Sequence, residues 1–282
     1  MTGATVRATG IVTLVAAALL GSAYALGRSL VPDEPAHHTG VTASVNSTQR
    51  PSADLPETTE ASPTPDDSPH PADSPHPADV GDGPFGSLIS TGAPRVALTF
   101  DDGPDPQYTP EVLALLREYG VKATFCVVGE NAESHPDLVQ EIVAEGHTLC
   151  NHSWNHDTAL GSRSPDTIRA DLLRTNEAIH AAVPDARIAY YRQPGGVWTH
   201  PVVSVCEELG MAPLHWAVDP SDWTAPGAGK ITAAVMTQTG PGAIVLMHDA
   251  GGNRAGTVQA LQGLLPELMD RFQLEALPTG AT

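Results

Sequence analysis

An α/β fold of parallel strands with helices packed outside them is what this sequence predicts, and three observations carry it. From residue 95 onward, short apolar runs alternate with amphipathic stretches, the rhythm of repeated βα units. Gly120 and Gly146 stand where helices should stop, and Pro110 stands where one can begin. Residues able to do chemistry follow the apolar runs at their carboxyl ends, where parallel α/β folds collect their sites. The pattern is compatible with either a closed barrel or an open sheet.

The apolar runs predict strands at 95–100, 122–128, 147–151, 187–191, 212–216 and 243–247, with a short one near 273–277. Helical periodicity falls between them at 109–119, 135–145, 165–182, 199–209, 230–239 and 255–271. These elements belong to one domain, 86–282, long enough for a sizeable core. Its 11 basic and 23 acidic residues argue against nucleic acid, whose binding depends on neutralising phosphates, and against anionic membrane surfaces. A neutral polymer or a small substrate fits that balance, and nothing in the pattern requires more than a monomer.

Two segments precede the domain. Residues 1–31 hold an uncharged stretch with the apolar block Ile11 to Leu20, Arg7 before it and Ala23-Tyr24-Ala25 after it, which reads as a secretory signal. The stretch is also about long enough to remain as a membrane tether. Residues 32–85 carry ten acidic residues against the single basic Arg50, with abundant Pro, Ser and Thr, and read as a disordered linker. The repeat Asp67-Ser-Pro-His-Pro-Ala, Asp73-Ser-Pro-His-Pro-Ala makes part of it an extended spacer. Three cysteines are too few for a disulfide scaffold. Cys126 and Cys150 fall in consecutive strands and can pair outside the cytoplasm, whereas Cys206 reads as a small buried residue of a helix.

Taken in order, the strand ends supply a set of chemical groups. The first run stops at Asp101-Asp102-Gly103-Pro104, and adjacent residues at a strand end can face different partners, one a cation and the other a proton donor. After the third strand comes Asn151-His-Ser-Trp-Asn-His156; a single helical turn would bring His152 and His156 to one side. With Asp102 they make an N₂O set with an open position, the donor set of a hydrolytic zinc site. Arg192, in Arg192-Gln-Pro-Gly-Gly196, would orient a carboxylate, and the glycines let backbone N–H groups approach a ligand. Asp219-Pro-Ser-Asp222-Trp223 brings an indole toward a contact surface. Leu246-Met-His248 ends the sixth strand in an imidazole that Asp222 can hold as imidazolium, a general acid.

Together these five segments resemble the polysaccharide deacetylases with a NodB homology domain, carbohydrate esterase family 4, over most of residues 94 to 250. The matched motifs are Thr-Phe-Asp-Asp-Gly-Pro, His-Ser-x-x-His, Arg-x-Pro-x-Gly, Asp-x-x-Asp-Trp and Leu-x-His. The resemblance implies a distorted (β/α) barrel and a divalent metal, most commonly zinc, held by Asp102, His152 and His156. It implies Asp101 as general base positioned by Arg192, His248 as general acid tethered by Asp222, and a slot for the acetyl methyl lined by Trp223 and Leu246. The Gly195 N–H would join the metal as oxyanion donor. Many members carry tyrosine at that position, so one wall should be wider here, with Trp198 a candidate to fill the space.

The implied reaction is attack of metal-activated water on the acetyl group of an N-acetylglucosamine polymer, peptidoglycan or chitin-type. The alternatives are an O-acetyl esterase acting on xylan through the same residues and an inactive carbohydrate-binding domain. The last predicts a broken ligand set, which the sequence does not have.

Overall fold

The computed structural model describes residues 81–280. The expected signal or tether and residues 32–80 of the linker lie outside them.

Six strands form one parallel sheet: β1 (Ala97–Asp101), β2 (Thr124–Val127), β3 (Thr148–Asn151), β4 (Tyr190–Tyr191), β5 (Ala212–Pro213) and β6 (Ile244–His248). Their order is β5-β4-β3-β2-β1-β6, so the chain starts near one edge, walks to the other, and returns to add β6 beside β1. The sheet curls until single-residue bridges span its edges. Leu88 pairs with Leu214, Ser90 with Ala243 and Val218 with Val245. This irregular closure is the distorted (β/α) barrel that the motifs imply.

Among the described residues, seven helices cover the outside: α1 (Tyr108–Tyr119), α2 (Gly129–Ser134), α3 (Pro136–Ala144), α4 (Pro165–Ala182), α5 (His200–Glu208), α6 (Ala228–Gln238) and α7 (Ala255–Met269). Local chemistry sets their ends. Ser164 caps α4 by accepting the Thr167 N–H, with Pro165 in the first turn. Gly120 closes α1 in a left-handed conformation (φ 67°), returning its N–H to Arg117 and Leu116. The stretch read as one helix from 135 is preceded by α2, and the two break at His135, whose backbone must leave the helical region because Pro136 follows.

Strands four and five are shorter than the apolar runs predicted. The run after Met211 changes partner along its length: Leu214 N–H bonds Tyr191, His215 bonds Leu88, and past a bend at Ala217 the N–H groups of Ala217 and Val218 bond Ile244. It bridges the barrel's edges instead of lengthening one ladder. The run at 273–277 likewise makes a single bridge, Leu274 to Val96.

Alternation along the strands sorts side chains to two faces. Leu98, Phe100, Phe125, Val245 and Met247 join the helices in the larger core. Ala97, Cys126, Cys150, Tyr190, Leu214 and Ile244 fill the barrel interior. Continuing the period in β1 and β6 turns Thr99 and Asp101, Leu246 and His248, to that inner side. Register sets Asp101 opposite both Cys126 and His248, and Cys126 opposite Cys150. The two cysteines, with Cα atoms 4.2 Å apart, form a disulfide across β2 and β3, the pairing that the sequence left open. Cys206 is free and buried in α5, where burial pushes its thiol up to about 12.

Candidate active site

The carboxyl ends of the strands surround a pocket of about 440 Å³ lined by Asp101, Asp102, His152, His156, Gly195, Trp216, Asp219, Trp223, Leu246, His248, Gly251 and Arg254. Of the ten residues that the sequence nominated, eight line it. The other two, Arg192 and Asp222, stand directly behind Asp101 and His248.

Arg192 is fully buried, and each of its polar bonds has a defined end. Nη1 donates to Asp101 Oδ1 at 2.6 Å and to Thr99 Oγ1 at 2.8 Å, Nη2 to the His215 carbonyl at 3.0 Å, and Nε to the Leu214 carbonyl at 3.4 Å. A buried guanidinium is costly unless so completely paired, and the pairing holds the Asp101 carboxylate in one orientation.

Asp222 is saturated in the same way. Its Oδ1 accepts His248 Nδ1 at 2.7 Å, and its Oδ2 accepts the His248 N–H at 2.9 Å and Thr257 Oγ1 at 2.7 Å. Burial pulls the His248 pKa down, but the hydrogen bond and charge of Asp222, with Asp101 and Asp102 behind them, leave it raised. Because Nδ1 is occupied by Asp222, Nε2 is the nitrogen free to deliver a proton into the pocket.

Asp102, His152 and His156 converge: one donor atom from each lies within 4.8 Å of the others. Asp102 Oδ1 is 3.5 Å from His152 Nε2 and 3.4 Å from His156 Nε2, and it is buried without a hydrogen-bond partner. Three donors around one tetrahedral zinc stand about 3.4 Å apart, so the cluster fits such an ion. The outer contacts fit too. His152 Nδ1 lies 2.8 Å from the Arg192 carbonyl, which can only accept, so the proton sits on Nδ1 and the Nε2 lone pair faces Asp102.

Charge at the cluster points the same way. Burial opposes the charged form of His152, but Asp101 and Asp102 outweigh it and its pKa is raised. Burial would raise Asp102, yet the histidines, His152 first, hold it at about 2. His156 is lowered by burial and by His152.

The backbone route to this cluster differs from the expected helical turn between His152 and His156. No helix forms there; Ser153 (φ 66°) and His156 (φ 57°) adopt left-handed conformations, as does Asp102 (φ 77°). Such non-glycine strain persists only where surroundings impose it. Asn131 Nδ2 donates to the Asp102 carbonyl at 2.7 Å. A Cβ on Gly251 would fall 2.2 Å from Asp102 Oδ2, so only glycine leaves that carboxylate its place.

The expectation for Trp198 is corrected. Its ring is buried against Tyr191 in a second core cluster, and its Nε1 donates to His215 Nδ1 at 3.1 Å. The indole that joins Trp223 in the pocket wall is Trp216, stacked on His215 at 3.9 Å and backed by Gly196, where a Cβ would sit 2.8 Å from the ring. Gly196 thus makes room for this indole, whereas a Cβ at Gly195 would meet Thr158 instead. Trp216, Thr257, Arg254 and Asn131 lie outside the motifs, and no local signal in the sequence marks them; Arg254 donates to the carbonyls of Asp222, Ala250 and Gly251, tying the two loops together.

Asp249 is buried beneath the site, accepting Thr109 Oγ1 at 2.5 Å and filling the space that Gly103 leaves open. Burial pushes its carboxyl up to about 7, and Asp102 and Asp101 add to this against the Thr109 bond. The folded state therefore keeps a proton that the unfolded chain releases near its ordinary value of 3.8, and stability falls as pH rises between those values. In metal-free protein, Asp249→Asn is expected to gain melting temperature over the parent progressively from pH 4 to 7, worth a few kcal/mol at most. Parallel thermal melts across that range check it; a constant difference contradicts it.

The sequence profile described as "Polysaccharide deacetylase" matches residues 89–214. A chitooligosaccharide deacetylase of Sinorhizobium fredii (strain NBRC 101917 / NGR234) is 42% identical over 201 residues, covering 67% of this chain and 92% of that protein. A peptidoglycan-N-acetylglucosamine deacetylase of Bacillus cereus is 40% identical over 175 residues, covering 61% and 81%. Among solved structures, a peptidoglycan N-acetylglucosamine deacetylase in complex with 4-naphthalen-1-yl-N-oxidanyl-benzamide superposes with a TM-score of 0.64 at 34% identity, covering 68% of this chain and 89% of that one. Identity over nearly the full length of the Sinorhizobium fredii enzyme, together with the shared fold, shows that this chain belongs to the polysaccharide deacetylases, carbohydrate esterase family 4.

Proposed function

We propose that this protein hydrolyses the N-acetyl groups of N-acetylglucosamine units in a polysaccharide, chitin-type or peptidoglycan, outside the cytoplasm. The observation that carries the reading is the convergence of three ligand residues with two separately tethered proton-transfer groups on one pocket. Asp102, His152 and His156 would hold a divalent ion, with zinc favoured by the N₂O donors. When bound, that ion supplies Lewis-acid chemistry, polarising an acetyl carbonyl and acidifying water.

The protein's own groups do the rest. Asp101, fixed by Arg192, takes the proton of the attacking water. The Gly195 N–H stabilises the developing oxyanion, a contact whose loss typically costs about 3–4 kcal/mol. His248 protonates the leaving nitrogen while Asp222 stabilises the imidazolium. Trp223 and Leu246 line the space for the acetyl methyl, and the 57% exposure of Trp223 leaves much of its indole open to sugar. The Cys126–Cys150 bridge suits an oxidising compartment, as does the N-terminal stretch read as a signal or tether. None of the relatives described above is a xylan esterase, so that alternative has no support from them, and the intact site opposes an inactive binding domain.

Acetate release from chitooligosaccharides, peptidoglycan and acetylated xylan tests the reading; release from xylan alone would overturn it. The tether of His248 gives a second check. The imidazolium is the working form, so its raised pKa keeps activity to higher pH. In Asp222→Asn the alkaline limb of kcat/KM is expected to shift to lower pH, with activity lost as pH rises through it. A limb that stays in place counts against His248 as the acid.

A further inference from the structure

Asp102, His156 and Gly251 form a partition. On one side lies the pocket already described; on the other is a second cleft of about 330 Å³, lined additionally by Val128, Glu130, Asn131 and Asn155. The two sides differ in chemistry. The first carries the indoles of Trp216 and Trp223 and the Leu246 side chain, whereas the second adds to the shared Asp102 and His156 the Glu130 carboxylate and two amides, with no indole or phenyl ring.

Two of those polar groups are held in place. Trp154 Nε1 donates to Glu130 Oε1 at 3.1 Å, and Asn131 is anchored on the Asp102 carbonyl. The Arg174 guanidinium lies 3.4 Å from the centre of the Trp154 ring and helps line a separate groove with Glu133 and Glu177, outside this cleft. Glu130 itself is exposed, so its second oxygen is available to a ligand.

We propose that this cleft binds the saccharide unit next to the one being deacetylated, and that Glu130 selects a neutral or amine-bearing neighbour over a carboxylated one. The inference rests on the deacetylase reading and sharpens it. The volume falls in the range of small-ligand sites, and amides with a fixed carboxylate match the hydroxyls of a hexose. A chitin-type chain presents neutral units, and each deacetylation turns one into an amine that is protonated at neutral pH. A cell-wall glycan instead alternates with a sugar whose lactyl group bears a carboxyl function extended by an acidic peptide. Glu130 attracts the first and repels the second, and the acidic domain around it adds to both effects.

The direct experiment is calorimetric titration of the whole protein with fully deacetylated tetraglucosamine. Glu130→Gln is expected to weaken binding about fivefold at low salt, the gap closing toward about 0.5 M salt, as an accessible ion pair requires. Equal affinities at low salt, or a loss indifferent to salt, overturn the proposal.

A second measurement compares kcat/KM on N-acetylchitotetraose with that on a peptide-bearing wall tetrasaccharide. This ratio is expected to fall severalfold in Glu130→Gln, and an unmoved ratio also overturns the assignment. If the parent protein releases no acetate from either glycan, the deacetylase reading falls, while the titration still decides whether the cleft is a charge-selective saccharide site.

Discussion

His248→Ala is expected to lower kcat/KM on an N-acetylated oligosaccharide by about 10²- to 10⁴-fold, the usual contribution of a positioned general acid. The same change is expected to cost distinctly less on an O-acetylated analogue. An amine is a poor leaving group until protonated, whereas a sugar alkoxide departs with less help. The geometry places this load on one nitrogen: Asp222 occupies His248 Nδ1 at 2.7 Å, leaving Nε2 for the substrate. Steady-state kinetics on a matched amide and ester pair make the comparison. Equal losses on both would remove His248 from proton delivery to the leaving group.

Removal of divalent ions by a chelator is expected to abolish acetate release, and added zinc or another divalent ion to restore it. The buried, unpartnered Asp102 Oδ1 and the Nε2 atoms of His152 and His156 form a cluster whose charge balance calls for a cation. Elemental analysis should find about one ion per chain, falling toward zero in His152→Ala. Ion binding should also raise the melting temperature of the parent, because a ligand bound at 100 times its Kd adds about 2.7 kcal/mol to stability. Full activity in protein shown to be metal-free would contradict the ligand assignment; a stable His152→Ala that keeps its ion would contradict the part given to that residue.

Most of the site was readable because its residues sit at the ends of apolar runs. Asp101-Asp102 after β1 and His248 after Leu246 are placed by strand periodicity, and apart from α2, which no expected span covers, the described helices differ from the expected spans by only a few residues. The exceptions share a cause. The 212–216 run reads as one strand, yet its backbone bonds go first to β4 and then to Leu88, with Ile244 the partner just beyond it, a change that periodicity cannot distinguish. The path between His152 and His156 was read as a helical turn although left-handed residues make it, and nothing in Ser153 as a residue type demands a positive φ.

Residue order alone gave the α/β class, the acidic balance, the candidate catalytic side chains and the family they point to, since each depends on local pattern or on motifs read one after another. Folding had to establish which groups meet. Asp101 faces His248 because the ladder of β1 and β6 is in register, and both turn inward because the side-chain period in a strand is two residues. Trp216 rather than Trp198 reaches the pocket because Gly196 leaves room behind its indole, and Glu130 joins a second cleft because α2 packs beside the loop of His156. Such contacts join residues far apart in the chain, and they form only when the barrel closes and buries its interior.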